Sequence, residues 1–158
     1  MNTIKSWRLV KTRFLQHAFD GEGARLSGGR WSSAGLPVVY TSATASLAVL
    51  EVFANAQGPG ELLSHFQLLF CTFDESLVTR IEARDLPSNW RQSPAPVRLQ
   101  EIGDAWLRAD SSPVLEVPSS IIEHESNYLI NPQHHHFKRV KRSEPEPFVI
   151  DLRLIKDA

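Results

Sequence analysis

The sequence predicts an α+β fold in a single domain, residues 1–158. Three observations carry that expectation. The β-branched run Val38-Val39-Tyr40 is followed at once by an apolar stretch with helical spacing. Residues 65–73, HFQLLFCTF, read as one long strand. Helical and strand patterns then mix along the chain without the regular βαβ alternation of a doubly wound sheet.

Taken in order, residues 7–10 form a short first strand and residues 21–29 a glycine-rich loop. After Gly35 and Pro37, residues 38–40 form a second strand. Thr41 or Ser42 is placed to cap a helix over residues 43–56, which Gly58-Pro59-Gly60 ends. Leu47, Leu50, Glu51 and Ala54 share one face of that helix, and the surrounding apolar residues predict that it is largely enclosed. A strand over 77–81 and a proline-bearing loop over 85–96 follow the long strand. Residues 97–109 make an amphipathic helix with Ile102, Trp106 and Ala109 on one stripe. Short strands at 114–117 and 128–130 and a terminal one at 148–154 complete the set.

A chain of 158 residues can bury a substantial core without covalent staples. Cys71 is the single cysteine, so no intrachain disulfide forms and a reducing, cytoplasmic setting is expected. A net charge of −1 gives no overall pull toward nucleic acid or an anionic membrane. The opening MNTIKSWRLVKTRF lacks an apolar signal region, and no window approaches the roughly 20 apolar residues of a membrane span.

Residues 31–60 carry one formal charge, Glu51, flanked by Leu47, Val49, Leu50, Val52 and Phe53. A carboxylate among apolar side chains is costly unless paired or put to use. Arg30, after a double glycine, offers a planar fork suited to phosphate. Tyr40 ends a strand just before the Glu51 helix, where its ring could stack on a flat ligand. Ser126 has a hydroxyl for phosphate or carboxamide, with no base arranged to make it a nucleophile.

The segments GARLSGGRW, VVYTS, SLAVLEV and HESNYLINPQH, in this order and spacing, resemble the RES domain family. The residues matching its arginine, glutamate and serine are Arg30, Glu51 and Ser126. The resemblance implies an ADP-ribosyltransferase-like split mixed β-sheet with flanking helices. It also implies a bacterial toxin that consumes NAD⁺ as substrate, with no bound prosthetic group. Nicotinamide would be released by phosphorolysis, with inorganic phosphate as co-substrate, or by transfer of ADP-ribose to a protein. The implied partner is an Xre-type helix-turn-helix antitoxin that blocks the active site, in a homodimer or a higher toxin–antitoxin complex. Arg8 matches a second family arginine and, with Arg30, Trp31, Tyr40 and Ser126, is expected to bind the substrate. Ser32 departs from the asparagine frequent after GGRW.

Two patterns compete with that reading. His134-His135-His136 invites a metal, but adjacent histidines do not have zinc-ligand spacing, so none is expected. The basic run at residues 138–142 would serve a nucleic-acid-directed toxin or binding module, yet it lacks the interleaved aromatics of a stacking platform. GEGARLSGG does not follow a strand as a dinucleotide fingerprint would, so NAD⁺ would bind in a different manner.

Overall fold

The computed structural model describes residues 2–156. Its strands in chain order are β1 (Thr3–Lys11), β2 (Val39–Ser42), β3 (Phe66–Asp74), β4 (Val78–Arg80), β5 (Val114–Pro118), β6 (Ser126–Ile130), β7 (Lys141–Arg142) and β8 (Glu146–Phe148). Its α-helices are α1 (Glu22–Ser27), α2 (Ala45–Asn55), α3 (Pro59–Leu62) and α4 (Val97–Ala109). The strands form one mixed sheet in the order β4-β5-β6-β2-β1-β3-β7, with β8 also on β3. Among the described residues, β4 and β5 make the parallel pair and the remaining pairings are antiparallel. This is the predicted α+β architecture, with the split mixed sheet that the family resemblance implies.

The split lies at the centre. β1 pairs with β3 along its whole length, from Thr3 opposite Asp74 to Lys11 opposite Phe66. β1 meets β2 only where Trp7 stands opposite Ser42, and from there the two strands part.

Successive side chains of a strand point to opposite faces. On one face Val10, Val39, Leu69, Cys71, Val114, Tyr128 and Ile130 pack around Ala18 and Phe19 from the chain after β1. On the other, Leu9 packs with Ala48 of α2, and Leu115, Val117 and Leu129 pack with Leu99 and Trp106 of α4. The two helices therefore share one side of the sheet.

Four local expectations are corrected. The helix cap is Thr44, whose hydroxyl oxygen accepts the Leu47 amide at 3.0 Å; Thr41 and Ser42 are still paired to β6. The glycine-rich loop contains α1, because Asp20 accepts the Glu22 amide at 2.9 Å and Arg25 pairs with Glu22 one turn on. The last strand stops at Phe148, and residues 152–154 form a 3-10 turn started by Asp151, which accepts the Arg153 amide. Finally, α2 is covered on one side only: Leu47 and Ala48 are buried, Glu51 is half-buried and Ala54 is exposed.

Candidate active site

Arg30 sits at the tip of a tight turn closed by reciprocal backbone bonds between Gly29 and Ser32, at 2.9 and 3.4 Å. Tyr40 of β2 supports the turn from below. Its hydroxyl accepts the Trp31 amide at 3.2 Å and shares a hydrogen bond with the Ser32 hydroxyl at 2.7 Å. Burial raises the Tyr40 pKa to about 12, so the phenol stays protonated. From above, Gln100 of α4 donates to the Gly29 and Ser32 carbonyls at 3.0 and 3.2 Å. Asp104 accepts the amide and the hydroxyl of Ser33. Gly103 lets the helix come so close that a Cβ there would lie 1.6 Å from the Trp31 carbonyl oxygen. Arg30 itself is half-buried and donates to the Trp90 carbonyl at 3.0 Å.

Glu51 lies on α2, near enough to Arg30 for the two charges to act on each other. The start of the helix is tied to the sheet by Thr44, which caps it and also donates to Glu125 at 2.7 Å. Burial raises the Glu51 pKa, while the Asn127 side chain and the Arg30 charge pull it back down by favouring the carboxylate. Arg30 is the mirror case: burial lowers its pKa and Glu51 opposes that. Together they place a carboxylate and a guanidinium in a partly desolvated setting, where neither charge is fully screened.

The structure brings Arg30, Tyr40 and Glu51 to the helix-covered side of the sheet. Tyr40 gives its hydroxyl to the turn, and the residue packs against the cluster that includes Trp31, Leu99 and Leu129. Trp31 is 3% exposed and lies in that same cluster. Arg8 starts on the opposite side, level with Leu69, and reaches into the gap between β1 and β2 to donate to the Tyr40 carbonyl at 2.9 Å. Its Nε is buried without a hydrogen-bond partner among the described residues, and burial lowers its pKa to about 10 against the opposing charge of Asp20.

Ser126 is not brought to Glu51. Its hydroxyl donates to Glu116 at 2.8 Å, and Glu116 pairs with Arg80 at 3.1 Å, on the face away from the helices. A concavity of about 630 Å³ lined by Arg80 and Glu116 lies on that side too. The neighbouring Asn127 lies on the helix-covered face instead, as the alternation of a strand requires, and donates to the Ser42 hydroxyl at 3.1 Å and the Thr41 carbonyl at 3.3 Å. Sequence reading passed over Asn127, because a single sequence does not say which of two adjacent polar residues faces the site. Ser119 was also passed over. It is fully buried and accepts the Ile121 and Ile122 amides at 3.1 and 3.0 Å, forming the loop that leads into β6.

The three histidines put one ring nitrogen each within 4.8 Å of the others. Both His134 nitrogens are already engaged, with the Asp110 carbonyl at 3.0 Å and the His136 amide at 2.9 Å, which marks His134 as a local brace.

The turn, the capped helix and the split sheet define a class: an α+β domain that brings an arginine and a half-buried glutamate within each other's influence. The chain belongs to the RES domain family, whose model matches residues 5–151. It is 37% identical over 149 residues to "Toxin Res" of Yersinia enterocolitica, covering 94% of this chain and 97% of that protein. It is 31% identical over 160 residues to the "Prs ADP-ribosylating toxin" of a Sphingobium species, covering 99% of each. Among solved structures it is similar in fold to a chain of the M. tuberculosis MbcT–MbcA toxin–antitoxin complex, with a TM-score of 0.77 and 17% identity. That match covers 94% of this chain and 85% of the other. The relatives named here are toxins.

Proposed function

We propose that this RES-domain protein is the toxin of a toxin–antitoxin pair and cleaves the bond between nicotinamide and ribose in NAD⁺. The observation that carries the reading is the Glu51 carboxylate, half-buried on a capped helix and within the influence of the Arg30 charge. Nicotinamide leaves with the electron pair of the C1′–N bond, and its ring cation is neutralised as it goes. The ribose then develops oxocarbenium character, which a neighbouring carboxylate stabilises. Glu51 supplies that charge where it is partly shielded from water. Arg30, held at the tip of a braced turn, takes the anionic part of the substrate or an attacking phosphate through its free guanidinium nitrogens. Arg8, in the gap of the sheet, adds a second cation.

In the phosphorolytic form of the reaction, a phosphate oxygen bonds to C1′ as nicotinamide departs, giving ADP-ribose phosphate. The name of the Sphingobium relative favours a second reading, in which a protein side chain takes the ADP-ribose. An enzyme that drains NAD⁺ harms its own cell, so an Xre-type helix-turn-helix antitoxin covering the cleft, in a complex that can contain more than one toxin chain, completes the proposal. Purified toxin incubated with NAD⁺, with and without phosphate, tests it. Nicotinamide release that rises with phosphate supports phosphorolysis, and label from NAD⁺ on one protein of a lysate supports transfer. No release under either condition by folded, antitoxin-free protein rejects the reading.

A further inference from the structure

The guanidinium of Arg30 is held by one carbonyl, that of Trp90, to which its Nη1 donates at 3.0 Å. Trp90 is buried in the cluster with Trp31, Leu99 and Trp106. A buried ring fixes the residue but not its carbonyl, because that oxygen belongs to the planar peptide unit shared with Arg91 and turns with it. Arg91 sets how that unit stands. Its side chain crosses to the loop between β5 and β6, where Nε donates to the Ser120 carbonyl at 3.1 Å and Nη2 to the Ile121 carbonyl at 3.4 Å. Its Nη1 also meets Glu123 at 3.3 Å. Both partners of that ion pair are about half-exposed, so it adds little and the clamp rests on the two carbonyls. The receiving loop is a firm mount. Ser119 is fully buried, its hydroxyl oxygen accepts the Ile121 and Ile122 amides, and its own amide donates to the Glu125 carbonyl at 2.9 Å. At the far end Glu125 accepts the hydroxyl of Thr44, the cap of α2. One short loop thus takes hold of Arg30 through Arg91 and Trp90, and of the Glu51 helix through Thr44.

We infer that Arg91 is a positioning residue for Arg30: by tying residues 90–91 to the 119–125 loop it aims the Trp90 carbonyl, and through that carbonyl the guanidinium that receives the anionic part of the substrate. With Nη1 engaged, the Arg30 guanidinium is held in one orientation before the substrate arrives. Released from Trp90, the side chain would sample several rotamers, and the incoming anion would have to order it at a cost in affinity. The effect therefore falls on substrate binding, because what is lost is the order of a binding side chain and not the Glu51 charge. Such coupling through a chain of contacts has to be shown by measurement, and here the chain is short: Arg91, its own peptide bond, and Arg30. The contacts stand on the fold, and their effect on turnover rests on the NAD⁺-cleaving reading.

The test observes Arg30 itself, by NMR of arginine-labelled protein with the Arg30 signals assigned from Arg30→Lys. A guanidinium held at one nitrogen shows separate Nη signals, whereas a free one averages them by rotation. Averaged Arg30 signals are expected in Arg91→Ala, and partial averaging in Arg91→Lys, whose ammonium does not reproduce the fork. In parallel, the KM for NAD⁺ in nicotinamide release rises about fivefold in Arg91→Ala, the scale of one neutral hydrogen bond, while kcat changes little. In an Arg30→Ala background, which removes the donor to Trp90, Arg91→Ala adds no further rise in KM. If Arg91→Ala does not fold, as thermal melting will show, Arg91→Lys alone decides. Unchanged Arg30 signals in the folded variants, a KM that stays at the wild-type value, or a KM effect that adds in full to that of Arg30→Ala overturns the inference and leaves Arg91 as a clip between two loops. Averaged Arg30 signals in the variant, when wild type itself releases no nicotinamide, uphold the positioning and remove the proposed activity.

Discussion

Asp104 on α4 accepts both the backbone amide and the hydroxyl of Ser33, and so binds a core helix to the turn that carries Arg30. One turn of helix earlier, Gln100 holds the two carbonyls of the same turn. Between them Gly103 lets the backbones touch. Arg30 is therefore placed by the packing of α4, and substitutions in that helix should be felt in the site.

Gly103→Ala is the sharpest case. A methyl at 1.6 Å from the Trp31 carbonyl cannot be absorbed by a side-chain rotation, so helix and turn must separate. Overpacking of this kind costs about 1–3 kcal/mol or more. A lower melting temperature is expected, together with a larger KM for NAD⁺ as Arg30 loses its place. An unchanged melting temperature would show that the contact is looser than described.

Arg30→Lys keeps the charge and removes the fork. The ammonium cannot both hold the Trp90 carbonyl and offer a planar pair of donors to an anion. The expected result is a KM for NAD⁺ raised roughly tenfold, a loss on the scale of one charge-assisted hydrogen bond. In Arg30→Gln the acid limb of the pH–rate profile moves to higher pH, because the Arg30 charge helps keep Glu51 ionised. A Lys variant with wild-type KM would assign Arg30 to structure alone.

Glu51 contributes to the dependence of stability on pH in a definite direction. Burial raises its folded-state pKa above that in the unfolded chain, so its own contribution to stability falls as pH rises through that interval. Glu51→Gln removes that loss. The variant should match wild type below about pH 4, where the unfolded carboxyl is already protonated. At neutral pH it should melt higher than wild type. Equal melting at both pH values would mean that the carboxylate is solvated as freely in the fold as in the unfolded chain.

Ser126→Ala separates the two faces of the sheet. The hydroxyl serves Glu116 and Arg80, so its removal should cost about 1 kcal/mol of stability. Turnover should stay within a few-fold of wild type. A loss of activity matching that of Glu51→Gln would place Ser126 in the chemistry despite its position.

Much of this arrangement is readable in the sequence. Glu51 stands out as a lone charge among apolar residues, and helical periodicity alone turns it inward with Leu47. The turn at Gly28-Gly29 and the strand that carries Tyr40 follow from glycine punctuation and a β-branched run, although that strand runs on to Ser42. What is hidden is parity and distance. Whether Ser126 or Asn127 faces α2 depends on a register fixed by Tyr128 opposite Thr41 and Glu116, contacts between residues far apart in the chain. The bracing of Arg30 by Gln100, Gly103 and Asp104 joins segments about 70 residues apart. The amphipathic stripe of α4 announces Trp106 as core and says nothing of the polar edge that grips the turn.

The decisive measurement is the nicotinamide released from NAD⁺ by wild type and by Glu51→Gln, with both shown to be folded. Oxyanion-type electrostatic stabilisation by a single group accounts for about 10²–10³ in rate. Release by wild type that falls by roughly that factor in Glu51→Gln, with binding of NAD⁺ largely retained, is the predicted result. Equal release by the two proteins would contradict the central claim that the half-buried carboxylate stabilises the departing ribosyl cation.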